Sequence, residues 1–219
     1  GLIRNLSMGE IIEQLLIVKK NVSKKITNIV FMGMGEPFLN YNNVIKSCEV
    51  FTHPKAFNFS TKRITISTAG ILSKIKKYIE DSHKYKLAIS LNASNNKIRS
   101  SIMPINNKWN IEKIISEIQK NKLNKHRVIM FEYVLLKDLN DSNEDALELS
   151  SLLKNIHCKI NLIPFNNIFG KYKRPTDERI NNFSKILHKK RGHYRVFIRW
   201  SKGEDIDAAC GQLATNSNE

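Results

Sequence analysis

Apolar positions fall along this chain in two alternating rhythms. One is the three-to-four spacing of a helix face, and the other is the short unbroken run of a buried strand. Ile11, Ile12, Leu15, Leu16 and Val18 supply the first helical face, and Ser7 with Glu10 is a capping box that opens it. A short apolar run predicts a strand over 28–32, followed by a helix over 43–51. Strand 63–67, helix 71–79 and strand 85–91 come next. Ile111, Ile114, Ile115 and Ile118 line one side of a helix over 109–122, and a strand covers 128–136. Asp141 with Glu144 predicts the next helix start, with Leu147, Leu149, Leu152 and Leu153 as its apolar contacts. A strand over 159–163 ends at Pro164; Thr176 opens a helix to Lys189, and 194–199 is the last strand.

Strands separated by helices predict an α/β fold with a parallel sheet and right-handed crossovers. Near-continuous apolar strands fit a sheet covered on both faces. Six strands are too few for a closed eight-stranded barrel. An open or partial barrel is the first expectation and a doubly wound sheet the second. The chain starts on a helix, so a preceding strand is expected to be missing. No linker or repeat divides residues 1–200, and 201–219 forms a C-terminal segment whose end is expected to be a loose tail.

The composition narrows the class. With 219 residues, 41% apolar, the chain can bury one substantial core. It has no run long enough to span a bilayer, and its start is not expected to be a signal peptide. Three widely spaced cysteines, Cys48, Cys158 and Cys210, fit a reducing cytoplasm, and no C-x-x-C or H-x-x-H pair suggests zinc. Thirty-six Lys and Arg against twenty Asp and Glu leave a net charge of +16. That excess points to a polyanionic partner, although scattered lysines also fit a generic basic surface. The densest stretch runs from Lys171 through Arg174, Lys189, Lys190 and Arg191 to Lys202.

In a parallel barrel, chemistry collects where strands end. After the first strand stands Gly33-Met34-Gly35-Glu36-Pro37, with two glycines for close backbone approach and a carboxylate. After the second comes Ser67-Thr68-Ala69-Gly70, after the third Ser90-Leu91-Asn92, and after the fifth Pro164-Phe165-Asn166. Each alone reads equally as a turn or a helix cap. Four polar turns at four strand ends suggest a pocket for a small molecule with amine, carboxylate and ribose or base groups. The six histidines find no carboxylate at useful spacing and read as surface or packing residues. Near the end, Asp207-Ala208-Ala209-Cys210-Gly211 leaves one sulfur among small residues, open to a large partner. A lone cysteine is more often a small buried hydrophobe.

Seven segments, in order, carry a resemblance: Gly-Met-Gly-Glu-Pro at 33–37, Ile-Ser-Thr-Ala-Gly at 66–70, Ala-Ile-Ser-Leu-Asn-Ala at 88–93, Met-Pro-Ile-Asn at 103–106, Phe-Glu-Tyr-Val-Leu at 131–135, Asn-Leu-Ile-Pro-Phe-Asn at 161–166 and Asp-Ile-Asp-Ala-Ala-Cys-Gly-Gln-Leu at 205–213. Together they resemble the RlmN-type radical S-adenosylmethionine RNA methyltransferases, over nearly the whole chain. The resemblance implies a partial (β/α)6 TIM-like barrel of the radical SAM type, here without its first strand. It implies methylation of adenine C2 in large-subunit (23S) ribosomal RNA and in tRNA. Gly35 and Glu36 would bind the methionine end of S-adenosylmethionine, Ser67 and Ser90, Leu91 and Asn92 other parts, and Asn166 the adenosine. Cys210 would be the catalytic methyl carrier, and a [4Fe-4S] cluster with an electron donor would start the radical chemistry.

The pattern departs from the family at several points. The cluster-binding C-x-x-x-C-x-x-C loop and the cysteine before it are absent, so the chain alone is expected to hold no cluster and to be truncated and inactive. Asn92 stands where the family usually has His. Two other readings remain open: Cfr-type methylation at adenine C8, which shares the Cys-Gly-Gln-Leu ending, and a non-catalytic RNA-binding remnant. The expected partners are ribosomal RNA and tRNA, with no membrane, as a cytoplasmic monomer.

Overall fold

The computed structural model describes residues 3–120, 129–166, 171–190 and 192–200. Six strands form one sheet in the order of the chain: β1 (Ile29–Phe31), β2 (Ile64–Thr68), β3 (Lys86–Ser90), β4 (Ile129–Leu135), β5 (Cys158–Pro164) and β6 (Tyr194–Ile198). Every pairing is parallel. The helices are α1 (Met8–Asn21), α2 (Tyr41–Thr52), α3 (Leu72–Glu80), α4 (Asn96–Ile102), α5 (Ile111–Lys120), α6 (Asn143–Leu153) and α7 (Asp177–Lys189). Parallel neighbours need crossovers, and the helices supply them.

Alternation along the strands sorts the side chains by face. Ile64, Ile66, Leu87, Ile89, Phe131, Tyr133, Leu135, Ile160 and Leu162 are buried in one core with Ile75, Ile114, Leu149 and Phe183 of the helices. The Tyr133 and Phe183 rings meet at 5.4 Å. The opposite face carries Ser67, Ser90, Glu132 and Asn161, set side by side by the register Ser90–Glu132–Asn161. This second face is concave. Ser67 of β2 reaches Glu132 of β4 across β3, at 3.4 Å. Arg199, just past β6, contacts Met32, just past β1, at 3.4 Å, although β1 and β6 stand at opposite ends of the strand order. Side chains of alternate strands meeting inside a curled parallel sheet are the signature of barrel packing. No ladder joins β6 to β1 among the described residues, so the barrel is partial.

Local chemistry explains the helix boundaries and where the sequence reading slips. The box at Ser7 and Glu10 forms as expected: the Ser7 amide donates to the Glu10 carboxylate and the Glu10 amide to the Ser7 hydroxyl. On α1 only Ile11, Ile12 and Leu15 pack on the core; Leu16 and Val18 are exposed. The start of α6 lies one residue later than the Asp141–Glu144 pattern predicts. Ser142 caps it with Asp145, because the Asp141 carboxylate accepts from the Asp138 amide and pairs with Arg179 at 2.9 Å. Leu147, expected as a contact, faces solvent. Helix α4 has no counterpart in the sequence reading: its seven residues carry a buried arginine where an apolar residue would announce a helix.

Candidate active site

The turn after β1 places Gly33 at φ 128° and Gly35 at φ 75°, backbone that favours glycine. The Glu36 carboxylate that follows is anchored by backbone. One oxygen accepts from the Phe38 amide at 2.9 Å and the other from the Ala69 amide at 2.6 Å, tying the first turn to the second. In that second turn the Thr68 hydroxyl accepts from the Gly70 amide at 3.2 Å. Gly70 sits at φ 107°, and a Cβ there would meet Ile114 Cδ1 at 2.8 Å.

The turn after β3 is held on three sides. The Leu91 and Asn92 amides both donate to the Glu132 carbonyl. Asn92 adopts φ 57°, its Oδ1 accepts from the Val134 amide at 3.0 Å, and its Nδ2 donates to Met103 Sδ at 3.3 Å. Behind both turns lies Arg99, fully buried and without a carboxylate partner among the described residues. It donates to the carbonyls of Ala69 (2.7 Å), Ser90 (3.1 Å) and Leu91 (3.0 Å), and to Asn106 Oδ1 (3.0 Å). Burial pushes its pKa down to about 10, so it stays a cation. One planar fork therefore sets the spacing of the two turns.

The four turns close on one cavity of about 370 Å³, within the range of small-molecule sites. Gly35, Glu36, Ser67, Ser90, Asn92 and Asn166 all line it. Leu91 departs from the expectation: its side chain is fully buried in the core and only its backbone belongs to the turn. Cys210 lies outside the described residues. Two charged lining residues, Glu132 and Arg199, were not singled out as site residues by sequence reasoning. Glu132 occupies an inward position of a strand whose apolar neighbours suggested only core. Its pKa is raised by burial, against the pull of the Arg199 charge and of Ser67 and Asn161.

Residues 1–150 match the sequence model of the Radical SAM superfamily. The chain belongs to that superfamily. It is 43% identical over 213 residues to a probable dual-specificity RNA methyltransferase RlmN of Pseudothermotoga lettingae, covering 97% of this chain and 62% of that protein. The RlmN protein of Lawsonia intracellularis is 44% identical over 222 residues, covering 98% of this chain and 61% of the relative. A radical SAM methyltransferase from Sphaerobacter thermophilus superposes with a TM-score of 0.91 at 38% identity, over 97% of this chain and 63% of that one. The chain thus spans about three fifths of the length of the relatives it matches. Streptococcus suis SuiB, solved bound to S-adenosylmethionine, shares the fold with a TM-score of 0.65 at 16% identity, over 90% of this chain and 44% of that one.

Radical SAM membership implies S-adenosylmethionine and a [4Fe-4S] cluster. The cavity suits the first: it combines backbone turns, hydroxyls, amides and apolar walls at Val134, Ile163 and Phe165. The described residues do not suit the second. None of them form a group of three or more His, Cys, Asp or Glu that could hold a metal. Cys48 on α2 and Cys158 on β5 are buried in the core, and burial pushes both thiols up, Cys158 to about 12. Thiols held protonated there are not cluster ligands. His83, read as a packing residue, stands 3.4 Å from Asp81 between the Tyr41, Tyr78 and Tyr85 rings, away from the cavity lining.

Proposed function

We propose that this chain is the catalytic barrel of an RlmN-type enzyme that methylates C2 of adenine in 23S ribosomal RNA and in tRNA. The observation that carries the reading is the convergence of Gly35, Glu36, Ser67, Ser90, Asn92 and Asn166 on one cavity, in a chain above 40% identity to RlmN relatives. S-adenosylmethionine, when bound, supplies the methyl group. The glycine backbone at 33–35 admits its methionine end closely, with the Glu36 carboxylate fixing that turn. Ser67 and the turn at Ser90 and Asn92 offer hydroxyl and amide groups to the middle of the molecule, and Asn166 a side-chain amide to its base. Cys210 is the methyl carrier in this reading. The basic excess serves the RNA backbone.

The test is methyl transfer to a 23S ribosomal RNA fragment. It uses this chain alone and this chain joined to the N-terminal part of a relative, each reconstituted with iron and sulfide without oxygen. The joined form should yield 2-methyladenine, and Cys210→Ala should abolish it. Appearance of 8-methyladenine would assign the Cfr-type reaction instead. No methyladenine from the joined form would contradict the reading.

A further inference from the structure

Glu132 is the one acid projecting from the inward positions of β2 to β5, and it lines the cavity while only 5% exposed. Its two oxygens are treated differently. Oε2 accepts from the Ser67 hydroxyl at 3.4 Å. Oε1 has no hydrogen-bond partner among the described residues. The nearest cation, Arg199 Nη1, stands 3.8 Å from Oε1, beyond hydrogen-bond range, and its side chain is 42% exposed. A buried carboxylate oxygen left in this state is costly, and in proteins such an atom marks a missing partner. The other groups facing Glu132 are Asn161 on β5 and Ser67 on β2, both neutral; Glu36 lines the same cavity with its carboxylate held by the Phe38 and Ala69 amides. The Asn161 amide lies near enough to help hold the carboxyl down, but none of this set makes a hydrogen bond to Oε1 among the described residues. The residue itself lines the cavity.

We propose that Glu132 is a further ligand-binding residue, whose free Oε1 accepts a hydrogen bond from an N–H or O–H donor of the molecule bound in this cavity. The inference rests on the reading of the cavity as an S-adenosylmethionine site, and that molecule carries three kinds of candidate donor: its ammonium, its ribose hydroxyls and its adenine amino group. The donor changes the protonation of the site. Free Glu132 has a raised pKa through burial. A donor at Oε1 favours the ionised form and lowers it again. Binding therefore expels a proton where the free carboxyl is still protonated, and affinity rises with pH across that window.

The experiment is calorimetric titration of the wild-type chain and of Glu132→Gln with S-adenosylmethionine, adenosine and methionine. Each titration is run in two buffers of different ionisation enthalpy, at the pH midway up the wild-type affinity rise. A thermal melt confirms that the isosteric variant is folded. The wild type should release a proton on binding S-adenosylmethionine. Glu132→Gln should bind about tenfold or more weakly and release none. A loss shared with adenosine assigns the donor to the nucleoside, and one shared with methionine assigns it to the ammonium. Equal affinity and equal proton release in the two proteins would overturn the role of Glu132 while leaving the cavity reading intact. A folded wild type that does not bind S-adenosylmethionine would overturn both.

Discussion

Asn92 sits at φ 57°, where a short polar side chain is tolerated better than most. Its Oδ1 takes the amide of Val134 in place of a backbone carbonyl, so one residue both ends β3 and extends its pairing with β4. Asn92→Ala strands that amide and strains the backbone, and should destabilise by about 2–3 kcal/mol in urea unfolding. Asn92→Gly keeps the conformation and should lose less. A second pair of variants separates strain from collision. Gly70→Ala places a Cβ against Ile114 and Arg99 and should cost about 3 kcal/mol. At Gly33 a Cβ meets nothing within 4 Å, so Gly33→Ala carries backbone strain alone and should cost about 1 kcal/mol. Glu132 makes the opposite kind of prediction. Its folded pKa is raised by burial above the ordinary carboxylate range. Its penalty is absent below the unfolded value and fully present above the folded one. Glu132→Gln should therefore raise the melting temperature at neutral pH and lose that advantage in acid, even as it weakens ligand binding.

At the scale of elements, the six strands were legible because each is a short run, apolar at least at alternate positions, between polar turns. The helices around them followed the same logic where an apolar face announced them. Helix α4 was not legible. Its central side chain, Arg99, is charged yet fully buried, and its partners are carbonyls of residues distant in sequence order, Ala69 and Ser90. No periodicity can announce a cation satisfied by strand ends. The same limit hid Glu132, a charge inside a strand that otherwise reads as core. The pocket turns were legible only together, because glycine, serine and asparagine after one strand read equally as a turn or a cap, and the recurrence at four strand ends is what set them apart. Leu91 belongs to its turn by backbone alone, with its side chain in the core: position in a turn says nothing about which way a side chain points. Arg99→Lys keeps the charge but loses the fork, and should loosen the spacing of the second and third turns. At temperatures where the variant is fully folded, its S-adenosylmethionine affinity should fall. A core truncation remote from the turns, Leu149→Ala, should leave affinity intact at a similar loss of stability.

Across the whole molecule, a basic chain carries its candidate pocket at the C-terminal ends of a curled parallel sheet, with no described helix long and apolar enough to cross a membrane. Within the basic stretch Arg174 is already engaged, pairing with Asp177 at 2.9 Å and lying over the Trp200 ring at 5.7 Å. Lys189 and Lys190, at the end of α7, are exposed. Replacing Lys189, Lys190 and Arg191 by neutral residues should make the salt dependence of RNA binding shallower by about 2–3 units of log affinity per log salt. An unchanged slope would move the RNA surface elsewhere.

The central claim is that turns from four strands form one S-adenosylmethionine site. Amide chemical shifts of the isotopically labelled chain, followed during titration with S-adenosylmethionine, test it directly. The account predicts saturable shifts grouped at Gly35, Ala69, Asn92 and Asn166. Shifts confined to the basic end of α7, or none at saturating ligand, would contradict it.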